Sequence, residues 1–254
     1  MFLAITRAVS VSLGRCELTH LKRLPIDVAR AVAQHAAYEE ALRSLGVRIV
    51  RATPAPDLPD AVCVEDTAVV VDEGAVMTRP GAPSRWDEVA GVAETLGKFR
   101  ALRFLEGDGR LDGGDVLRVG RRVFVGRSGR TNAAGIGQLR ELMGAWGYQV
   151  EALEVAGCLH LKSAATQVAE GVLLVNPAWL AKGAFAGLQR IEVDPSEAYG
   201  ANALWVRDRV IYPEHFPRTR ARLVHRGIRV LPVPCDELAK AEGAVTCCSI
   251  MLAA

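Results

Sequence analysis

The chain has 254 residues and a mass of 27.3 kDa, long for one ordinary domain and short for two. Half of its residues are apolar and 24% are charged, enough to build a sizeable core and too apolar for a disordered chain. With 31 Lys and Arg against 29 Asp and Glu, the net charge of +2 excludes a strongly basic nucleic-acid or membrane-surface binder.

In chain order, the first element is a short strand, FLAIT. The opening MFLAITRAVSVSLGR places its arginines within and after the apolar part, the reverse of a secretory signal. No apolar run approaches the roughly 18 residues of a membrane span. A soluble, cytoplasmic protein is expected, folded as a single domain over 1–254. Asp27–Leu45 reads as the longest helix, with Gly46 at the C-cap position. A strand follows at Val47–Arg51, then a hairpin in which VEDTAVVV turns at Asp72–Gly74 into AVMTRP.

The same succession then recurs. Strands are expected at Arg100–Leu105, Tyr148–Leu153, Leu188–Val193 and Ile228–Val233, their starts about 40 to 53 residues apart. Hairpins follow them: GDVLRV into RVFVG around Gly120–Arg121, AATQVA into VLLVN around Glu170–Gly171, and ANALWV into RVIYP around Arg207–Asp208. Helical patterns separate each hairpin from the next strand. One carries Ile136, Leu139, Leu142, Met143 and Trp146 along a single side, and Gly147 and Gly227 occupy further C-cap positions. The final VTCCSIMLAA lacks a downstream partner, which FLAIT can supply. Five such units with the termini joined predict an α/β fold, a five-bladed α/β propeller of pseudo-five-fold ββαβ repeats. Strands lie inside, helices outside, and the N-terminal strand closes the ring. A doubly wound sheet is disfavoured, because hairpins stand where it would need parallel crossovers.

In a ring of repeats, equivalent loops converge at one end of the axis. Here those loops carry Asp60, Glu65 and Asp66 in the first unit, Asp112 and Asp115 in the second, and His160 and Lys162 in the third. Asn202 and Cys247 follow in the fourth and fifth. Each has an ordinary reading alone: a turn aspartate, a core histidine, a buried thiol. Together they predict one pocket lined by several carboxylates, a histidine and a thiol. Clustered carboxylates call for a ligand that brings positive charge. A planar guanidinium fits them. A thiolate can attack its central carbon, and a histidine can carry the proton to the leaving amine. Six cysteines in a chain with this much core are read as reduced thiols. A zinc site from Cys158, His160, Cys247 and Cys248 lacks the spacing of structural fingers.

Seven stretches in order, LPDAVCVEDTAVV, RPGAPSR, LDGGDVL, VFVGRSGRTN, LHLKSA, YGANALWV and VTCCS, resemble the dimethylarginine dimethylaminohydrolase family of guanidino-group-modifying enzymes. The resemblance runs along nearly the whole chain and implies the same five-bladed propeller. It implies that Cys247 is the nucleophile, with Cys248 a bystander, and that His160 is the acid/base. Asp66 and Asp112 would hold the guanidinium, with Glu65 in the same network. Asp60 and the carbonyls of Leu18 and Ala241 would receive the α-amino group, and Arg85 and Arg130 would clamp the α-carboxylate. Leu18 would ride on a mobile lid around SLGRCELTH. The implied reaction converts Nω-methylated arginine to citrulline and an amine without cofactor or metal, the substrate's own cation lowering the pKa of a Cys247 that is a neutral thiol beforehand. The only partner implied is that small-molecule substrate, with no nucleic acid or membrane; a homodimer stays open. Lys162 stands where arginine deiminases of the superfamily place a carboxylate, which argues against that activity; the alternative enzyme reading is a deiminase or ureido hydrolase acting on a related guanidino amino acid. A silent arginine-binding propeller is the reading from outside enzymology.

Overall fold

The computed structural model describes residues 2–253. The elements in chain order are β1 (Phe2–Thr6), α1 (Val28–Ser44), β2 (Val47–Arg51), β3 (Ala68–Val70), β4 (Ala75–Met77), α2 (Glu88–Leu96) and β5 (Leu102–Phe104). Next come β6 (Val116–Val119), β7 (Arg122–Arg127), α3 (Ala133–Gly144), β8 (Gln149–Glu154), α4 (Leu161–Ala164), β9 (Ala165–Ala169), β10 (Val172–Val175) and β11 (Gln189–Glu192). The chain ends with β12 (Leu204–Val206), β13 (Arg209–Pro213), α5 (Pro217–His225), β14 (Val230–Val233), α6 (Asp236–Ala239) and β15 (Ile250–Ala253).

The strands form five three-stranded sheets: β15-β1-β2, β3-β4-β5, β6-β7-β8, β9-β10-β11 and β12-β13-β14. Every blade has one antiparallel and one parallel pairing, as the ββαβ repeat requires. FLAIT closes the ring: β1 runs antiparallel to β15, Phe2 opposite Ala253, and parallel to β2, Phe2 opposite Val47. The middle strands are buried on both faces and read as unbroken apolar runs, VIYP and VLLV among them, rather than as alternations. The five inner strands β3, β6, β9, β12 and β15 line an axial channel of about 440 Å³.

Helices cover the outside. In α1, Asp27 caps the N-terminus by accepting Arg30 N–H at 3.0 Å, a contact worth about 1 kcal/mol. Ala31, Tyr38 and Leu42 face the core, and Gly46 leaves the helix at φ +72°.

The fourth crossover departs from expectation. Between β10 and β11 stands only the 3₁₀ turn Pro177–Trp179, followed by Gly183, Phe185 and Gly187 at φ +89°, +60° and +84°. Left-handed residues at this spacing break any α-helix. For Phe185 that conformation costs about 1–2 kcal/mol. Its ring is fully buried and meets Phe124 edge-on at 4.9 Å, and burial of such a ring returns roughly 1.5–3 kcal/mol, so packing outweighs the strain.

One feature of the blades positions the site. Just before each innermost strand the chain makes a tight turn or loop: Val64–Thr67, Gly113–Asp115, His160 into α4, Asn202, and Thr246–Ser249. These five segments meet at one end of the axis.

Candidate active site

The LDGGD segment shows why the local sequence has to be what it is. Gly113 lies against the first blade so closely that a Cβ would fall 2.0 Å from the carbonyl oxygen of Glu65. A Cβ on Gly114 would lie 2.6 Å from His160 Nδ1 and 2.8 Å from Asp66 Oδ1. The two glycines let three blades approach, and Gly114 N–H donates to Asp66 Oδ1 at 3.0 Å.

His160 is buried against three aspartates. Nε2 meets Asp112 Oδ2 at 2.9 Å, and Nδ1 lies 3.9 Å from Asp66 Oδ1. Asp115 fixes the start of α4 by accepting Leu161 N–H at 2.8 Å through Oδ1, and Oδ2 takes the hydroxyls of Ser128 and Thr131. Burial pulls the imidazole pKa down, but Asp66, Asp112 and Asp115 outweigh it and hold it up at about 10. Burial lifts Asp115 to about 6. Asp66 also suffers burial, yet His160, Arg85 and Gly114 N–H bring it down to about 2.

Asp112 thus differs from the expected guanidinium ligand. Oδ1 accepts Gly81 N–H at 2.7 Å, Oδ2 holds His160, and the side chain is inaccessible to solvent, so the carboxylate orients the imidazole instead. The acceptor left over belongs to Glu65. Its Oε1 takes Lys162 Nζ at 2.6 Å, whereas Oε2 is buried without a hydrogen-bond partner among the described residues. Burial raises the Glu65 pKa, and Lys162 partly offsets that. Glu65 and Lys162 border both the axial channel and the cavity beside His160.

Cys247 is buried and borders two small cavities shared with His160. Its flank is set by the fourth blade, where Asn202 exchanges hydrogen bonds with Thr246, Nδ2 to Oγ1 at 3.0 Å and Thr246 N–H to Oδ1 at 3.1 Å. The Cys247 pKa lies below its ordinary value. The Cys63 thiol, which borders the same cavity, is the largest cause; burial, Glu65 and Asp66 oppose it, and His160 assists. A depressing influence therefore exists before any cation arrives. Cys248 points away, its Sγ on Ala244 O at 3.4 Å, and burial pushes its thiol up.

The narrower cavity, bordered by Asp60, Asp66, Arg85, Arg130, His160 and Cys247, leads outward. Arg85 is largely committed: Nη1 holds Asp66 at 2.7 Å, Nε and Nη2 hold Glu88, and Nη2 also reaches Cys63 O at 3.2 Å. Arg130 is the freer of the two, with Nη2 on Thr19 Oγ1 at 3.0 Å. Asp60 Oδ2 accepts Glu17 N–H at 3.0 Å, and burial raises its pKa against the pull of Arg85. Ala241 borders this cavity, and Leu18 sits half-buried on the stretch above.

That stretch is tied down by Glu242, a residue not singled out by sequence. Its carboxylate accepts the N–H groups of Thr19, His20 and Leu21 at 2.8, 2.6 and 2.7 Å, from a backbone at φ +56°. Cys63 and Glu88 were likewise not singled out. The i,i+3 spacing of Arg85 and Glu88 was a readable signal; Cys63 carried none beyond preceding VEDT.

The four residues of the zinc alternative do not gather. The group whose ligand atoms fall within 4.8 Å of one another is Asp66, Asp112 and His160. Their oxygens already serve Gly114, Arg85, Gly81 and the imidazole, and a cation there would compete with a protonated His160. Among the described residues no helix is long and apolar enough to cross a membrane.

A five-bladed α/β propeller that gathers a thiol, an imidazole and carboxylates at one end of its axis defines an enzyme of the guanidino-group-modifying class. The comparisons narrow that class. The N(G),N(G)-dimethylarginine dimethylaminohydrolase of Pseudomonas aeruginosa is 35% identical over 88% of this chain and 89% of its own. The protein of that name from Streptomyces coelicolor is 38% identical over 98% and 96%. The structure of a cysteine-to-serine mutant of the Pseudomonas aeruginosa protein complexed with citrulline matches with a TM-score of 0.94, at 33% identity, over 98% of each chain. No protein-family model matches. The chain belongs to the dimethylarginine dimethylaminohydrolase family.

Proposed function

We propose that this chain, working as one catalytic unit in the cytoplasm, hydrolyses asymmetric dimethylarginine and monomethylarginine to L-citrulline and dimethylamine or methylamine. The observation that carries the reading is a single cavity bordered by Cys247, His160, Asp66, Asp60 and Arg130, in which a thiol with a lowered pKa faces an imidazole with a raised one. The relatives' name, and the citrulline in a neighbour's structure, agree with it.

The substrate enters with its amino-acid end outward. Arg130, with the remaining Nη1 hydrogen of Arg85, takes the α-carboxylate. Asp60 and the carbonyls of Leu18 and Ala241 take the α-ammonium. The guanidinium reaches Asp66 and the unpartnered Oε2 of Glu65, which stabilise its positive charge and keep the central carbon electrophilic.

Cys247 Sγ attacks that carbon, forming a C–S bond and a tetrahedral adduct. His160 is protonated at neutral pH and gives its proton to the substituted nitrogen; the C–N bond breaks and the amine leaves. A thiouronium remains on Cys247. The now neutral imidazole takes a proton from water and the resulting hydroxide adds to the same carbon; the C–S bond breaks to restore the thiolate, and the O–H proton of the product passes to the released amine through solvent, leaving neutral citrulline and an ammonium ion. Asp112 holds Nε2 throughout, leaving Nδ1 to move the proton. Alignment of this kind supplies up to roughly 7–11 kcal/mol of barrier reduction. Lys162, engaged with Glu65, offers no acceptor for an unsubstituted guanidinium N–H, which favours methylated substrates over arginine.

The test is release of citrulline and amine from asymmetric dimethylarginine, monomethylarginine and arginine side by side. Turnover of the methylated substrates that Cys247→Ser reduces by at least about 10³-fold is expected. Full turnover by Cys247→Ser overturns the nucleophile, and preferred turnover of arginine with ammonia release overturns the substrate.

A further inference from the structure

Arg7 is a buried cation that the reaction described above leaves unused. It follows directly on β1, the strand that closes the ring, and is only 1% exposed. Its Nη2 donates to the carbonyl oxygen of Glu88 at 3.1 Å, whereas Nε and Nη1 have no hydrogen-bond partner among the described residues. Buried donors left unmade are destabilising. The fold makes a second concession to this side chain. Gly91 stands inside α2, where a Cβ would lie 2.8 Å from Arg7 Nη2, and an interior glycine weakens a helix. Against both stands a single hydrogen bond to a carbonyl, so local stability does not account for a guanidinium in this place.

What Arg7 touches leads to the site. Glu88 opens α2, is itself buried, and grips Arg85 as a fork: Nε donates to Oε1 at 3.1 Å and Nη2 to Oε2 at 2.8 Å. Arg85 Nη1 holds Asp66 Oδ2 at 2.7 Å. The hydrogen that Nη1 keeps for a substrate α-carboxylate is therefore aimed by Glu88 on one side and Asp66 on the other. The charge of Arg85 is also divided. It acts on three buried carboxylates, Asp60, Asp66 and Glu88, of which Asp60 is shared with Arg130. A fourth carboxylate, the substrate's, has to dock against the same guanidinium. A second cation behind Glu88 frees part of the Arg85 charge for it. Glu88 is in turn the group that favours the Arg7 cation against burial.

We propose that Arg7 is a positioning residue for the substrate's α-carboxylate: from the ring-closing strand it holds Glu88 in place and shares its charge, and Glu88 aims Arg85. Arg7 itself touches no substrate atom. The proposal rests on the reading of Arg85 as part of the α-carboxylate clamp.

The test follows citrulline release from dimethylarginine, with KM as the main readout because it is independent of how much of a variant is folded. Arg7→Met keeps the volume and removes the cation with its open donors; KM rises about tenfold while kcat stays within about threefold. Arg7→Lys keeps a cation and brings KM back to within about threefold of native. In a Glu88→Gln background, which raises KM by itself, Arg7→Met adds less than about twofold, because its route runs through Glu88. A native KM in Arg7→Met overturns the proposal, as does an equal rise in Arg7→Lys or a full tenfold step on top of Glu88→Gln. A tenfold fall of kcat in Arg7→Met, or Arg7→Met protein that does not fold, marks a purely structural role and overturns it as well. If the native chain releases no citrulline, the functional reading has failed; if it does and Arg7→Met keeps the native KM, only this inference has.

Discussion

In the ring, Asp66, Asp112 and Asp115 each have both carboxylate oxygens engaged, by groups from the first three blades. In the strap of residues 17–23 that lies over the cavity, most side chains are exposed or half-buried. Four of its backbone N–H groups end on two carboxylates of the ring, Glu242 and Asp60. The contrast separates two jobs. Groups that handle protons are held from several directions inside low-dielectric surroundings, where the same charges shift pKa values strongly. The cover is fastened at a few points near water, where each hydrogen bond contributes a net of about 1 kcal/mol and release is easy.

After Cys247→Ser, the largest effect expected within the ring is from Asp112→Asn, which removes the carboxylate charge facing Nε2 while preserving shape. Its kcat is expected to fall about 10²-fold, and the alkaline limb of kcat against pH to move down from near 10. Stability should report the same group. Because His160 is raised from 6.5 to about 10, its contribution is complete below 6.5 and lost as pH rises through about 10. Urea midpoints at the two ends of that window should therefore converge in Asp112→Asn, and an unchanged midpoint difference breaks the account. For the strap, Glu242→Ala should raise KM about tenfold with kcat within a factor of about three, and speed proteolysis within residues 17–23. A collapse of kcat instead would place Glu242 with the chemistry. Smallest is the outer surface: Arg30, whose side chain is 55% exposed, pairs with Asp236 at 2.7 Å, and Arg30→Ala should cost under about 1 kcal/mol by thermal unfolding.

Much of this was legible in the sequence. The hairpins announced themselves through glycine turns, and Gly46, Gly120, Gly147, Gly171 and Gly227 all take the positive φ that their turn or cap positions require. The convergence of Asp66, Asp112, His160 and Cys247 followed from their equivalent places in the repeat. Three things were not legible. The missing fourth helix depends on a Phe185 whose strain is offset only by its burial against Phe124. The binding of Asp112 to imidazole rather than ligand depends on a contact across 48 residues. Glu242 reaches the strap across more than 220 residues, a separation at which no local pattern survives.

By itself the sequence determined the kind of blade, the number of blades, and which residue types stand at the axial end of each, because hydrophobic period and turn chemistry act over a few neighbours. Only the tertiary structure decided how those polar groups pair: which aspartate holds the histidine and which glutamate keeps an open oxygen. Such pairings turn on differences of an ångström or so between residues brought together from separate blades, and ring closure, not spacing along the chain, sets those distances.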